Sequence, residues 1–311
     1  FEKNNGRGIV NEVTSKKRST LQGTIESYRA DWNDPEKTVI GGNVYLVNPN
    51  GITMRKGFTF KGDRFGATTM SLSDVVACLT YVNDGKTPQP EFYGVLIQPS
   101  GWDSAGKEKD KVFTITKGSL RLNKKGAISG NANFDLGEND DFYAQTPAGQ
   151  NLRIGNVSLA KNASMYLESG KNLNVRDITG TSWEVEEYDD ELEKNVQKTD
   201  YSNITLYAAN RLRIRSANKV DANVAGQDIR LSKSNASSLG TLTVRMGSDY
   251  PTVTKFSIAK GTQVAGLNIR TYSNTTDYTE KEYKGFTTPK RITQKNYTQY
   301  LQAVNVEEDK I

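Results

Sequence analysis

From Ile115 onward the apolar residues fall in doublets separated by a single residue. They are Leu120/Leu122, Phe134/Leu136, Leu152/Ile154, Val157/Leu159, Met165/Leu167 and Leu173/Val175, then, after an interruption, Ile204/Leu206, Leu212/Ile214, Ile229/Leu231, Leu242/Val244, Phe256/Ile258 and Leu267/Ile269. Side chains two apart lie on one face of an extended strand, so each doublet predicts a short strand with one buried face. Gly, Asn, Ser and Lys fill the intervals as turn residues. The recurrence predicts three strands per coil and about 20 to 27 residues per coil, the pattern of a parallel β-helix in which a coil buries its face only by stacking on its neighbours. A β-sandwich is the rival, but it requires hairpin turns and fully alternating strands, which are scarce here.

Upstream the pattern is less regular. Ile9/Asn11/Val13 and Leu21/Gly23/Ile25 alternate with polar partners and predict two short strands joined by the basic turn Ser15 to Ser19, an N-terminal cap over residues 1–27. Residues 28–38, with Asp31-Trp32-Asn33-Asp34-Pro35, read as a polar loop. The strand 43–47 then enters the turn Asn48-Pro49-Asn50-Gly51, and Ile52, Phe58 and Phe60 continue the inward face, so that 28–74 forms the first coils. Pro49 presets φ for the first corner of a type I turn, Asn50 tolerates the second, and Gly51 follows where a Cβ would crowd. Asn48 can close the corner with an Asx-type bond. Taken alone, this tetrapeptide is a generic β-turn.

Residues 75–111 read as an insertion carrying a strand pair beside the main stack. Leu72 to Val82 predicts one helical turn or a strand, Phe92 to Ile97 a strand, and Lys107 to Lys111 a solvated loop. Coils then occupy 112–270. Their interruption at 182–198 holds seven acids between 184 and 193. It predicts a projecting hairpin that turns at Asp189-Asp190, with Trp183/Val185 and Leu192/Val196 alternating against charges. Calcium is the competing reading, but no Asp-x-Asp-x-Asp-Gly loop is present. Residues 271–311 read as a polar tail or C-terminal extension, in which Tyr297, Tyr300, Leu301 and Val304 carry a one-faced helical spacing.

The Asn-Pro-Asn-Gly turn has characteristic neighbours. Gly8-Ile9-Val10-Asn11-Glu12-Val13-Thr14-Ser15 and Ser19-Thr20-Leu21-Gln22-Gly23-Thr24-Ile25 precede it; Gly57-Phe58-Thr59-Phe60 and Gly66-Ala67-Thr68-Thr69-Met70-Ser71-Leu72-Ser73 follow. In this order and spacing the set resembles the two-partner secretion domain of filamentous haemagglutinin-like exoproteins. The resemblance covers residues 8 to 74, and a second Asn-Pro-Asn-Leu motif carried by many members is absent. It implies an all-β, right-handed parallel β-helix with an N-terminal cap and an extra-helical strand pair or hairpin, one secretion domain over 1–311. It also implies a secretion and folding-nucleation module of a large exoprotein, an adhesin or haemagglutinin. Such a module is recognised in the periplasm by the POTRA domains of a partner outer-membrane β-barrel transporter, and it ends secreted or at the surface of a Gram-negative cell. By position, Asn48, Pro49, Asn50, Gly51 and Ile52 match the recognition and turn motif, Asn11 and Thr14 the upstream motif, and Phe58, Thr68 and Thr69 the downstream one. Folding the first coils is the alternative role for these residues.

Composition narrows the chemistry. Histidine is absent, which excludes Ser-His-Asp and Cys-His nucleophiles and His-ligated metal within this chain. Cys78, the single cysteine, sits in Val75-Val76-Ala77-Cys78-Leu79 and reads as a buried thiol, so no intrachain disulfide forms. The net charge of +5 and pI near 9.0 are spread along the chain and read as solubility; no basic aromatic cluster points to nucleic acid. The 35% hydrophobic content suits a thin, long core, and no apolar run is long enough for a membrane-spanning helix. A monomer without cofactor, metal or catalytic residues is expected. A module binding host-cell glycan or protein directly is the second function class, and a β-helical polysaccharide lyase or hydrolase the third, set back because the acid-dense stretches Glu138-Asn139-Asp140-Asp141 and 184–193 read as turns. Sequons at Asn156, Asn162, Asn203, Asn235, Asn274 and Asn296 follow from Asn-rich turns.

Overall fold

A computed structural model describes residues 8–31, 33–82, 84–85, 87–100, 113–190, 192–232, 238–287 and 292–293. The chain is a parallel β-helix, nearly all β, and it divides into two compact units: 1–156 with 166–171, and 157–165 with 172–311.

The first unit opens with β1 (Gly8–Glu12), β2 (Ser19–Leu21) and β3 (Thr24–Glu26), then β4 (Tyr28–Ala30) and β5 (Thr38–Ile40). A second coil follows in β6 (Asn43–Val47), β7 (Ile52–Arg55) and β8 (Thr59–Lys61), and β9 (Arg64–Thr68) begins the next. The strands β1, β2 and β3 run parallel on β6, β7 and β8, and β6 runs parallel to β9. Where a polar loop was expected, β4 and β5 form a separate antiparallel pair, closed by the Lys37 N–H donating to the Asp34 carbonyl and by a Lys37–Asp34 ion pair at 2.8 Å. This pair lies outside the main sheet.

Beyond β9 comes α1 (Leu72–Thr80), a helix of nine residues where one turn or a strand was expected. Ser71 caps it: its Oγ accepts from the Asp74 N–H at 3.2 Å and bonds the Asp74 carboxylate at 2.6 Å. Serine followed three residues on by an acid is the capping-box spacing. Val75 and Cys78 are buried against Val47 and Phe92, with Val10, Met70, Leu79 and Leu96 packed around them. Val10 and Val47 alternate along their strands with Ile9, Val44 and Leu46, and Phe65, the register partner of Val44, packs its ring on Phe58 and Phe60. The helix therefore covers the outer surface of the sheet, and Cys78 belongs to this satellite cluster rather than to the inward face of a coil.

Next come β10 (Gly94–Gln98), β11 (Phe113–Lys117) and β12 (Ser119–Leu122), then β13 (Ile128–Gly130), β14 (Asn133–Leu136), β15 (Asp141–Thr146) and β16 (Leu152–Ile154). The expected strand near 92–97 is β10, and it enters the stack itself. It lies between β9 and β15 and is antiparallel to both. Likewise β11 lies antiparallel between β8 and β14, and β12 between β7 and β13. The chain visits the three faces in reverse order through this layer, turns at Asn123–Ala127, where the Asn123 carbonyl accepts from the Gly126 N–H, and resumes the forward direction with β13 parallel to β16. The interior here is aromatic: Phe58, Phe60, Phe65, Phe113, Phe134 and Phe142 are fully buried, with Phe113 stacked on Phe142 at 5.8 Å and Phe134 tilted against it at 4.6 Å. Tilted and offset rings add roughly 0.5 to 1.5 kcal/mol each beyond their buried area.

The second unit comprises β17 (Val157–Leu159), the start of β18 (Ser164–Ser169), β19 (Asn172–Thr179), β20 (Ser182–Asp189), β21 (Lys194–Ala208), β22 (Arg211–Ala225), β23 (Asp228–Leu231), β24 (Ser238–Met246), β25 (Lys255–Ile258), β26 (Gln263–Tyr272), β27 (Tyr278–Thr287) and β28 (Ile292–Thr293). Between successive coils its ladders are parallel: β19, β22, β23 and β25 stack Leu173, Leu212, Ile229 and Phe256, while β21, β22, β24 and β26 stack Ile204, Ala222, Leu242 and Leu267. Every predicted doublet residue in the chain is buried except Ile269, which is half-buried. The expected hairpin is β20 with the first half of β21, paired from Ser182↔Tyr201 to Asp189↔Lys194. Ser202, fully buried at its base, donates from Oγ to the Ala160 carbonyl and accepts from the Thr181 N–H, both at 3.0 Å. Residues 278–287, read as polar tail, fold back as β27 antiparallel to β26, and charged Glu280, Lys281 and Glu282 mark that outer strand in the way exposed sheet edges are blunted. The helical spacing at 297–304, Lys107–Lys111 and the sequons at Asn235 and Asn296 lie outside the described residues.

Burial raises the Cys78 thiol above its ordinary value, with Asp74 adding to the effect, and Sγ donates to the Glu91 carbonyl at 3.4 Å. Native Cys78 is therefore expected to react with a maleimide at least about 100-fold more slowly than the denaturant-unfolded chain, since labelling requires the helix to lift. Labelling at the unfolded rate without denaturant would show that α1 does not cover the sheet.

Candidate functional site

The corner between β6 and β7 holds the Asn-Pro-Asn-Gly turn. Asn48 is fully buried, although its neighbours Pro49 and Asn50 are only half-buried. Its Oδ1 accepts from the Asn50 N–H at 2.9 Å, the expected Asx closure. Its Nδ2 does something the turn chemistry did not predict: it donates to the Lys17 carbonyl at 3.0 Å and to Ser19 Oγ at 2.7 Å. The Asn48 backbone N–H donates to the Thr68 carbonyl at 3.0 Å, and its carbonyl accepts from the Gly51 N–H at 2.9 Å. One residue thus binds the coil below through its side chain and the coil above through its backbone.

Gly51 has φ +108°, in the region that favours glycine. A Cβ there would lie 2.9 Å from the Leu122 carbonyl oxygen and 3.0 Å from Arg18 Nε, so the position is closed to a side chain by the reversed layer on one side and by the first-coil turn on the other. Arg18 reaches across the corner to Thr53 Oγ1 at 3.5 Å and Asn123 Oδ1 at 3.3 Å, and Asn50 Nδ2 donates to the Ser15 carbonyl at 3.1 Å. Ser15, Lys17, Arg18, Ser19 and Asn123 are therefore part of the corner, though the sequence presented the first four only as a basic turn. No local signal in a single sequence links Asn123 to a residue so far upstream.

Of the other motif residues, Ile52 is fully buried at the start of β7. Thr68 is buried one layer above Asn48, its Oγ1 accepting from the Met70 N–H at 3.0 Å, and Thr69 Oγ1 donates to the Asn123 carbonyl at 3.3 Å. Phe58 lies at a different corner, inside the stack against Phe65 at 5.4 Å. Asn11 and Thr14 are exposed, Asn11 in register with Leu46. Among the described residues the strands β1, β2 and β3 are each paired on one side only.

Among the described residues no group of three His, Cys, Asp or Glu side chains is placed to hold a metal ion. In the acidic hairpin, Glu187 pairs with Lys198 and Glu184 accepts from Thr199 Oγ1, each at 2.9 Å. No helix of the described residues is long and apolar enough to cross a membrane.

This architecture, with its buried corner at the start of the stack, defines a class. A family model described as the TPS secretion domain matches residues 1–188, and the chain belongs to that family. It is a secretion domain of a two-partner secreted exoprotein of the Gram-negative type, whose counterpart is a two-partner secretion transporter. The family is one of secretion domains, not of enzymes. No curated protein and no solved structure matches the chain.

Replacing Asn48 by Ala removes three side-chain hydrogen bonds, among them those to the half-buried Ser19 hydroxyl and to the carbonyl of the exposed Lys17. The expected stability loss is about 2 to 4 kcal/mol, from roughly 1 kcal/mol per net bond plus the desolvation of what is left unpaired. Asn48→Asp retains the Oδ1 acceptor but not the Nδ2 donor, so chemical denaturation should place it close to Asn48→Ala. A loss under about 1 kcal/mol for both variants would mean that the tie to the first coil carries little.

Proposed function

We propose that the chain is presented unfolded to the POTRA domains of its transporter, is recognised through the segment around Asn48-Pro49-Asn50-Gly51-Ile52, and then nucleates the β-helix of its exoprotein outside the cell. The observation that carries this reading is the burial of Asn48 and Ile52: in the folded domain neither side chain is available to a partner. A residue that is both read and buried must be read before folding. An extended chain offers its backbone and alternate side chains to an open sheet edge, which supplies affinity and register together. Once outside, the same Asn48 side chain closes the first interface between coils, and later coils add by nearest-neighbour stacking.

The test separates reading from folding. The exoprotein is co-expressed with its transporter as wild type, as Asn48→Ala and as Leu206→Ala, a later-coil core variant whose loss of about 2 to 5 kcal/mol matches that of the turn variant. Secretion of Asn48→Ala at least about tenfold below that of Leu206→Ala is expected. Equal secretion of the two would reduce the turn to a structural corner.

A further inference from the structure

On the outer surface of the first unit, the loop before β10 and the sheet beside it line an open cleft of about 410 Å³. Its lining includes Gln89 and Glu91 from that loop, Leu96 from β10, Tyr143 and Gln145 from β15, and Tyr166. Leu96 and Tyr143 are register partners, as are Gly94 and Gln145, so these side chains share one outward face. Gly94, with φ +148°, places no side chain in the floor. The secretion reading uses none of these residues.

We infer that this cleft is a binding site for an uncharged pyranose saccharide. The Tyr143 and Tyr166 rings lie against each other, centroids 6.1 Å apart and tilted by 37°, and present aromatic surface from two strands. The C–H face of a pyranose is apolar and packs on such rings, while its rim of hydroxyls needs partners that both donate and accept. The carboxamides of Gln89 and Gln145 supply donors and acceptors around an apolar floor at Leu96, and the Glu91 carboxylate, one oxygen of which accepts from the Tyr93 hydroxyl, adds a further acceptor. Few polar groups converging on an apolar cleft of this volume is the general form of a small-ligand site. This aromatic surface is preset: the Tyr166 hydroxyl donates to the Glu168 carboxylate, which holds the ring before any ligand arrives.

The electrostatics choose among ligands. Among the described residues no lysine or arginine lines the cleft, whereas Glu91 does, so sialylated and sulfated sugars are disfavoured. A peptide adding as a strand has no purchase on β10, whose two edges are taken by β9 and β15.

The purified chain of 311 residues should be screened on an array of neutral, sialylated and sulfated oligosaccharides, with hits followed by ligand-observed NMR titration. Binding confined to neutral hexose-containing glycans is expected. Tyr143→Ala, at a side chain already 38% exposed, and Gln145→Ala should each weaken it about tenfold or more, Tyr143→Phe should retain it, and Tyr188→Ala on the hairpin of the second unit, a residue that does not line the cleft, should leave it unchanged. Absence of any neutral ligand would overturn the site, as would preference for anionic glycans or binding indifferent to both Tyr143→Ala and Gln145→Ala. Because the assay contains no transporter, none of these outcomes bears on export.

Discussion

A fully buried carboxamide, that of Asn48, ties the turn of the first coil to the second, beside the backbone ladders of β1, β2 and β3. β1, β2 and β3 are short, each paired on one side, with Ile9 63% exposed and little of their surface covered. Ladder bonds between such strands compete with water at the edge, so the first interface gains from a contact anchored in a buried side chain. Asn48 provides it, bonding Lys17, Ser19 and Asn50 through one fully buried side chain. Gly51 and Arg18 depend on the same corner, because the guanidinium occupies space that only a glycine leaves free. In a stack that grows by neighbour contacts, the weakest interface decides whether growth begins.

The reversed layer has a different consequence. Strands β10, β11 and β12 need β9, β8 and β7 on one side and β15, β14 and β13 on the other. The layer is thus complete only after the chain has passed through it and turned back. The first unit forms as a block reaching at least to β15, with Phe113, Phe134 and Phe142 locking its interior, whereas the parallel ladders of the second unit can add coil by coil.

The legible part of the fold was what repeats. Doublets such as Leu212/Ile214 name their own burial because a strand with one inward face has no other use for the pattern, and the acidic hairpin announced itself through the loss of that pattern. Direction was not legible: Leu120/Leu122 and Phe134/Leu136 read the same whether their strands run up or down the stack, so the reversal at Asn123–Ala127 left no trace. Residues 278–287 were read as tail because an antiparallel outer strand shows charges where an inner one would show doublets. At the site, Asx chemistry foretold the Asn48 to Asn50 bond, but the Nδ2 bonds to Lys17 and Ser19 arise from stacking and have no local signature. The Ser71 to Asp74 cap was readable and would have fixed α1 as a helix.

With Asn48 buried in the folded state, the proposed reading of this segment by the transporter requires an unfolded chain, and that proposal can be measured directly. Isolated POTRA domains of the cognate transporter would be titrated with the folded chain and with the same chain kept unfolded by paired Phe65→Ala and Phe142→Ala substitutions. Each substitution costs about 3 to 5 kcal/mol by emptying the aromatic interior. Recognition before folding predicts tight binding to the unfolded chain, weakened about tenfold or more when Asn48→Ala is added, and little binding to the folded one. Binding to the folded domain that equals or exceeds binding to the unfolded chain would contradict it.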